Sequence, residues 1–321
     1  MFEQLRKIFD PALRGTDPAH RAAVEQVVDG TDPRFRMVAG YRRRLAVPLT
    51  HALGHIETLA ARLPEARPVE PGRYGHDLRL RALLGSPERL RAVFAASRSL
   101  HAFLGHPRNA AARECLALLV CGWRRRTVMG HGFQGGTVQQ DVLREVVEFP
   151  DPQVVVPAAD DAALRQKVKE RLLDDLLAHA LMEVTSLRGK DARLDERRRL
   201  LAAKARTLTG TERFGLSGEL AGGDRRQQLE GLEGELAALH ADPITVAEYL
   251  DLVCGVLEGA PASLRLEPVG FGYDGVHTVP GPRDEAGFTL HEVRYGKGRP
   301  LLVLPVQLTP PLIDRLRRGA G

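Results

Sequence analysis

Residues 160–208 read DDAALRQKVKERLLDDLLAHALMEVTSLRGKDARLDERRRLLAAKARTL, and the reading of this stretch decides the architecture. Leu173, Ala180, Leu187, Leu194, Leu201 and Leu208 recur at heptad spacing. Leu164, Val168, Leu172, Leu176, Leu177, Leu181 and Val184 fill the intervals of three and four. This pattern lays an apolar stripe along one side of a helix, and the stripe has to be buried. A coiled coil is excluded because the second column passes from Leu177 and Val184 to Asp191 and Arg198, and a seam needs both columns apolar. Gly189, followed by Lys190 and Asp191, predicts a helix stop and a newly capped helix.

Outward from this stretch, residues 210–224 are rich in glycine and read as a loop. Leu229, Leu232, Leu236 and Leu239 predict a third helix. Thr245 and Glu248 have capping-box spacing, opening a fourth helix with Val246, Tyr249, Leu250, Val253, Val256 and Leu257 on its buried side. Gly259 and Pro261 end it. Residues 160–259 therefore form a helical frame.

Towards the N-terminus, Phe2, Leu5, Ile8 and Phe9 give a short amphipathic helix expected to dock on its own domain. Thr16-Asp17-Pro18 and Thr31-Asp32-Pro33 repeat one helix-start signal. The apolar residues of 34–63 step by threes and fours, with Pro48 as a kink, so residues 1–63 are a first helical segment. Residues 64–75 hold three prolines and two glycines and read as a linker. Residues 76–123 are a second helical segment, with a start at Ser86-Pro87-Glu88. Its last part, Asn109 to Trp123, is apolar on most sides and is expected to be a buried helix.

At Arg124 the pattern changes. Thr127-Val128-Met129, the glycine-rich run 130–136 and the apolar residues of 142–149 predict a β-hairpin element over residues 124–157. Residues 263–308 predict a terminal antiparallel element whose last two strands pair across a turn at Tyr295-Gly296-Lys297-Gly298-Arg299. Pro300 and Pro305 place its final strand at an edge, since proline donates nothing to a ladder. Residues 312–321 are a basic tail. The expected fold class is α+β, predominantly α-helical: a helical core with a mid-chain β-hairpin and a C-terminal antiparallel β element, in one or two domains.

Composition is ordinary for a globular chain: 43% hydrophobic, 27% charged and a formal net charge of +5. Nearly all of the 46 Lys+Arg residues are arginine, which codon usage in a GC-rich genome explains without function. No apolar run spans a bilayer, and Met1–Phe9, with Glu3, does not read as a secretory leader. Three cysteines with no CxxC pair suit a reducing compartment, so a cytoplasmic location is expected.

The residues carry no family signature and no catalytic motif that survives inspection. Gly130, Gly132 and Gly135, and again Gly270, Gly272 and Gly275, fit GxGxxG, but neither opens a helix that could hold a pyrophosphate, so no cofactor is expected. His51 and His55 lack the glutamate and third ligand of a metal helix, so no metal site is assigned. Gly215-Leu216-Ser217-Gly218 lacks the last glycine of a nucleophile elbow. The expected function is a noncatalytic interaction or scaffold protein that self-associates or binds a protein partner. Its candidate interaction residues are Arg124, Arg125, Arg126, His131, Phe133, Gln134, Asp141 and Arg144. One alternative is nucleic-acid binding through arginine clusters, although aromatic residues for stacking are scarce. A second is an enzyme with His131, Asp141, Arg144 and Glu145 around the glycine-rich turn.

Overall fold

Strand and helix are interleaved along the chain in a computed structural model that describes residues 18–70, 72, 76–134, 137–212, 230–231, 234, 244–273, 277–281, 287–296 and 298–318. In order these form α1 (Pro18–Gly30), α2 (Tyr41–Ala61), β1 (Arg67–Val69), α3 (Leu78–Leu84), α4 (Pro87–Ala95), α5 (Arg98–Gly105), β2 (Cys115–Gly122), β3 (Arg124–Gln134), β4 (Thr137–Glu148) and β5 (Gln153–Ala158). After them come α6 (Asp161–Glu212), α7 (Val246–Glu258), α8 (Ala260–Ser263), β6 (Leu264–Tyr273), β7 (Thr278–Pro280), β8 (Gly287–Tyr295), β9 (Leu301–Leu308) and α9 (Pro310–Arg318). Short 3-10 turns cover Pro33–Met37 and Pro107–Asn109. The architecture is α+β with antiparallel sheets.

The chain divides into two compact units, each discontinuous in sequence. Of the described residues, the first holds those within 50–174 and 259–318, and the second those within 18–49 and 175–258. The frame expected at 160–259 is thus shared between them, with Asp161–Asp174 of α6 in the first unit.

The first unit is built on a sheet of seven strands among the described residues, ordered β5-β2-β9-β8-β6-β7, with β1 running parallel to part of β9. On one face, Cys115, Ala117, Leu119 and Cys121 of β2 stand beside Leu308, Val306, Leu304 and Leu302 of β9. Leu83, Leu90, Phe94, Leu100 and Leu104 of α3, α4 and α5, with Leu312, Ile313 and Leu316 of α9, complete that core. The basic tail is therefore an amphipathic helix whose apolar side is buried. Leu118, Val303 and Pro305 are buried on the other face.

Residues 115–122, expected as a helix, are strand β2. A strand covered on both faces loses the period-two alternation, so its apolar run matches a buried helix equally well. β9, expected at an edge, is central, with β2 paired along one side. Its far side is shared by β8, opposite Leu301–Val303, and β1, opposite Val306–Leu308, and Pro305 falls in the gap between them, where no ladder donor is needed. The actual edges are blunted. β5 carries a bulge where Val156 takes φ 54, and Ser97, the N-cap of α5, donates to the Val154 carbonyl at 2.6 Å. Lys167 donates to the Pro157 carbonyl beside that bulge and lies 5.2 Å from the Phe103 ring centroid.

The expected break at Gly189 is absent: α6 is one helix of 52 residues. A glycine inside a helix costs only about 1 kcal/mol relative to alanine, too little to stop one whose neighbours all favour it. Asp160 caps its start, its carboxylate accepting from the Ala163 N–H at 2.7 Å. Arg165 then reaches the terminal carbonyls of α2, donating to Ala60 at 2.6 Å and Leu63 at 3.0 Å.

In the second unit Val24, Val27, Val28, Phe35, Leu45, Leu49, Leu177, Ala180, Val184, Leu250 and Val253 are buried. The capping box holds: Glu248 accepts from the Thr245 N–H at 2.6 Å, and Thr245 Oγ1 from the Glu248 N–H at 3.3 Å. Asp32, only 3% exposed, caps the Pro33–Met37 turn and is clamped by Arg34 and Arg188. The amphipathic segment at 2–9, the signal at Thr16-Asp17 and the near-nucleophile motif at 215–218 lie outside the described residues, as do Leu229, Leu232, Leu236 and Leu239.

Candidate interaction surface

One element stands apart from the large sheet: β3 and β4 form a two-stranded antiparallel ribbon. It leaves β2 at Trp123 and returns at Phe149, and both ends are fixed. Phe271 meets Trp123 edge-on at a centroid distance of 5.6 Å and Phe149 at 5.5 Å, and stacks on Phe288 at 5.7 Å. The indole N–H of Trp123 donates to Glu292 Oε2 at 2.6 Å, and Arg294 holds the other carboxylate oxygen at 2.6 Å. Glu292 is 4% exposed, so these charge-assisted bonds replace its hydration. Val146 and Val147 are buried at the base, and β4 runs alongside β7. Among the described residues no strand other than β4 is hydrogen-bonded to β3, which leaves its outer edge open.

Register places the side chains. Arg124 faces Glu148, Arg126 faces Val146, Val128 faces Arg144 and Met129 faces Leu143. Because side chains alternate across a strand, Arg124, Arg126 and Glu148 share one face, and Arg125, Thr127, Met129, Leu143 and Glu145 the other. Arg124 and Arg126 both pair with Glu148, at 2.7 and 2.8 Å, and Arg125 with Glu145 at 3.5 Å. The hydrogen bonds from Arg126 and then Arg124 hold the Glu148 carboxyl below its ordinary value. Beyond these ion pairs Met129 is 73% exposed and Leu143 67%, so two large apolar side chains sit together in solvent.

Of the sequence candidates, the register thus gathers Arg124, Arg125, Arg126 and Arg144 on one ribbon. The backbone positions of His131, Phe133, Gln134 and Asp141 lie farther along it, and their side chains fall outside the described set. Sequence reasoning missed the Met129–Leu143 pair and the Trp123–Glu292–Arg294 anchor, because only strand register brings those residues together. It did supply one signal: Met129 and Leu143 flank the glycine-rich run from opposite sides.

Elsewhere the candidate chemistry disperses. His55 Nε2 lies 2.8 Å from the Leu264 carbonyl while His51 is exposed, and Gly270 and Gly272 lie inside β6. Among the described residues no group of three or more His, Cys, Asp or Glu could hold a metal. Also among them, no helix is long and apolar enough to cross a membrane. Burial pushes the thiols of Cys115 and Cys254 up to about 11 and that of Cys121 to about 12, which makes poor nucleophiles of all three. Comparison with known proteins finds no matching family model, curated protein or solved structure.

Proposed function

We propose that this is a noncatalytic interaction or assembly protein, a mainly helical scaffold whose β3–β4 hairpin contacts a protein partner or a second copy. One observation carries the reading: the exposed Met129–Leu143 pair on a ribbon with an open edge. Large apolar side chains grouped in water mark contact surfaces more often than isolated ones do. The free cysteines support a reducing, cytoplasmic setting. Nucleic-acid binding has less support, because aromatic residues make up only 5% of the chain and leave few stacking platforms, and Arg34, Arg36, Arg42 and Arg44 each face a carboxylate of this chain.

A photo-crosslinking residue placed at Met129 tests the proposal in cells. The expected result is discrete protein adducts, or a crosslinked dimer, that fade when Leu143→Asp is added. A strictly monomeric protein by light scattering, with no adduct, overturns it.

A further inference from the structure

Building on that reading, we infer that the outer edge of β3, from Arg124 to Met129, accepts an extended acidic segment of a partner protein as an added strand. Three observations converge on this stretch. The edge offers backbone donors and acceptors that no described strand uses, and an incoming chain gains affinity by completing such a ladder. Three arginines in succession line it, with side-chain exposures of 66%, 57% and 62%, and among the described residues their carboxylate partners are Glu145 and Glu148. Three guanidiniums there face two carboxylates, and both faces of an added strand would meet a guanidinium: Arg124 and Arg126 on one, Arg125 on the other. Met129, 73% exposed, ends the basic run with an apolar contact.

The occupant therefore has acidic residues along its first part, an apolar residue opposite Met129, and a length of about six residues, or roughly 20 Å of strand. A second copy of β3 fits less well, since registers that bring the two arginine runs together repel. Nucleic acid fits less well too: an aliphatic thioether beside a leucine provides no stacking platform.

The test is fluorescence anisotropy with the full chain and a labelled octapeptide alternating Glu with Val, against three controls: its Lys/Val counterpart, a backbone N-methylated copy, and an oligonucleotide competitor. The expected result is saturable binding of the acidic peptide alone. Methylation abolishes it because the ladder is lost, and Arg125→Glu with Arg126→Glu weakens it about five- to tenfold, as two exposed charge contacts allow. Arg91→Glu, a single charge reversal on α4, leaves it unaltered. Emission of Trp123, the single tryptophan, reports whether each variant keeps the ribbon anchored.

Equal binding of the methylated peptide overturns strand addition, and effective competition by the oligonucleotide overturns the peptide in favour of a general polyanion. Dimerisation that increases when the arginines are replaced makes the occupant a second copy and overturns the inference. Failure of the peptide while the Met129 crosslinks persist removes only the acidic strand; loss of both removes the interaction reading as well.

Discussion

Val156 is a β-branched residue at φ 54, a region where its Cβ crowds the following carbonyl at a cost of about 1–2 kcal/mol. The strain is local to the bulge opposite Ala117, where the register of β2 and β5 slips. Val155, its neighbour, is half-buried to a similar degree but carries no positive φ. Replacing each by glycine separates the two situations. Val156→Gly recovers the strain and comes out milder than Val155→Gly by about 1–2 kcal/mol in urea unfolding, and equal losses would refute the account. Single positions whose role is local were legible beforehand. Asp32, Ser86 and the Thr245–Glu248 pair cap helical turns where their sequence placed them, because a cap is satisfied within three residues. Val156 was not legible, since nothing in a run of valines marks which one turns.

At the scale of elements, periodicity succeeded where one face meets water and failed where none does. α6 and α7 keep a polar side and read correctly as helix, whereas β2 has none and was read as helix although it is strand. CLALLVCG has burial on both sides and carries no period that separates strand from helix. Pro300 and Pro305 misled for a different reason: whether a missing N–H matters depends on partners far away in the chain. α6 offers a direct check on continuity. Gly189 has open space around its Cβ position and no positive φ, so Gly189→Ala stabilises by about 0.5–1 kcal/mol in thermal or chemical unfolding. A left-handed stop at that residue would give the opposite sign. The interaction surface divides in the same way: the arginines were visible in the sequence, and the apolar pair that gives them meaning was not, because pairing Met129 with Leu143 is a property of two strands.

For the whole molecule, depressed carboxyls occur in both units, among them Glu148 in the first and Asp32 and Glu25 in the second, and of these three Asp32 alone is buried. Burial raises the Asp32 carboxyl, but the hydrogen bonds from Arg34 and the charges of Arg188 and Arg34 outweigh it and leave the group below its ordinary 3.8. Glu25 follows the same course: hydrogen bonds from Tyr41, Arg36 and Arg42 override desolvation and hold it below 4.5. Carboxyls depressed in the folded state stabilise it fully above their unfolded values and lose that contribution as pH falls through the folded ones. Glu170, in the first unit, is raised by burial, so its contribution runs the other way and declines as pH rises through its shifted value. Protection from amide exchange in α1 and the Pro33–Met37 turn, taken relative to the intrinsic rate at each pH, therefore falls as pH drops below about 4.5, and Asp32→Asn flattens part of that dependence. Exchange that is uniform in both units across this range would contradict the assignment.

The position of β9 has a consequence for synthesis. Its neighbours β2, β8 and β1 all leave the ribosome before it, and the strand that joins them is completed only at Leu308. From the emergence of β2 until that of β9 the nascent chain thus carries β2 without its central partner, and the long interval between the two strands makes closure a nonlocal step. Chaperone dependence, and rapid loss of any chain cut short before Leu301, follow from that order of emergence.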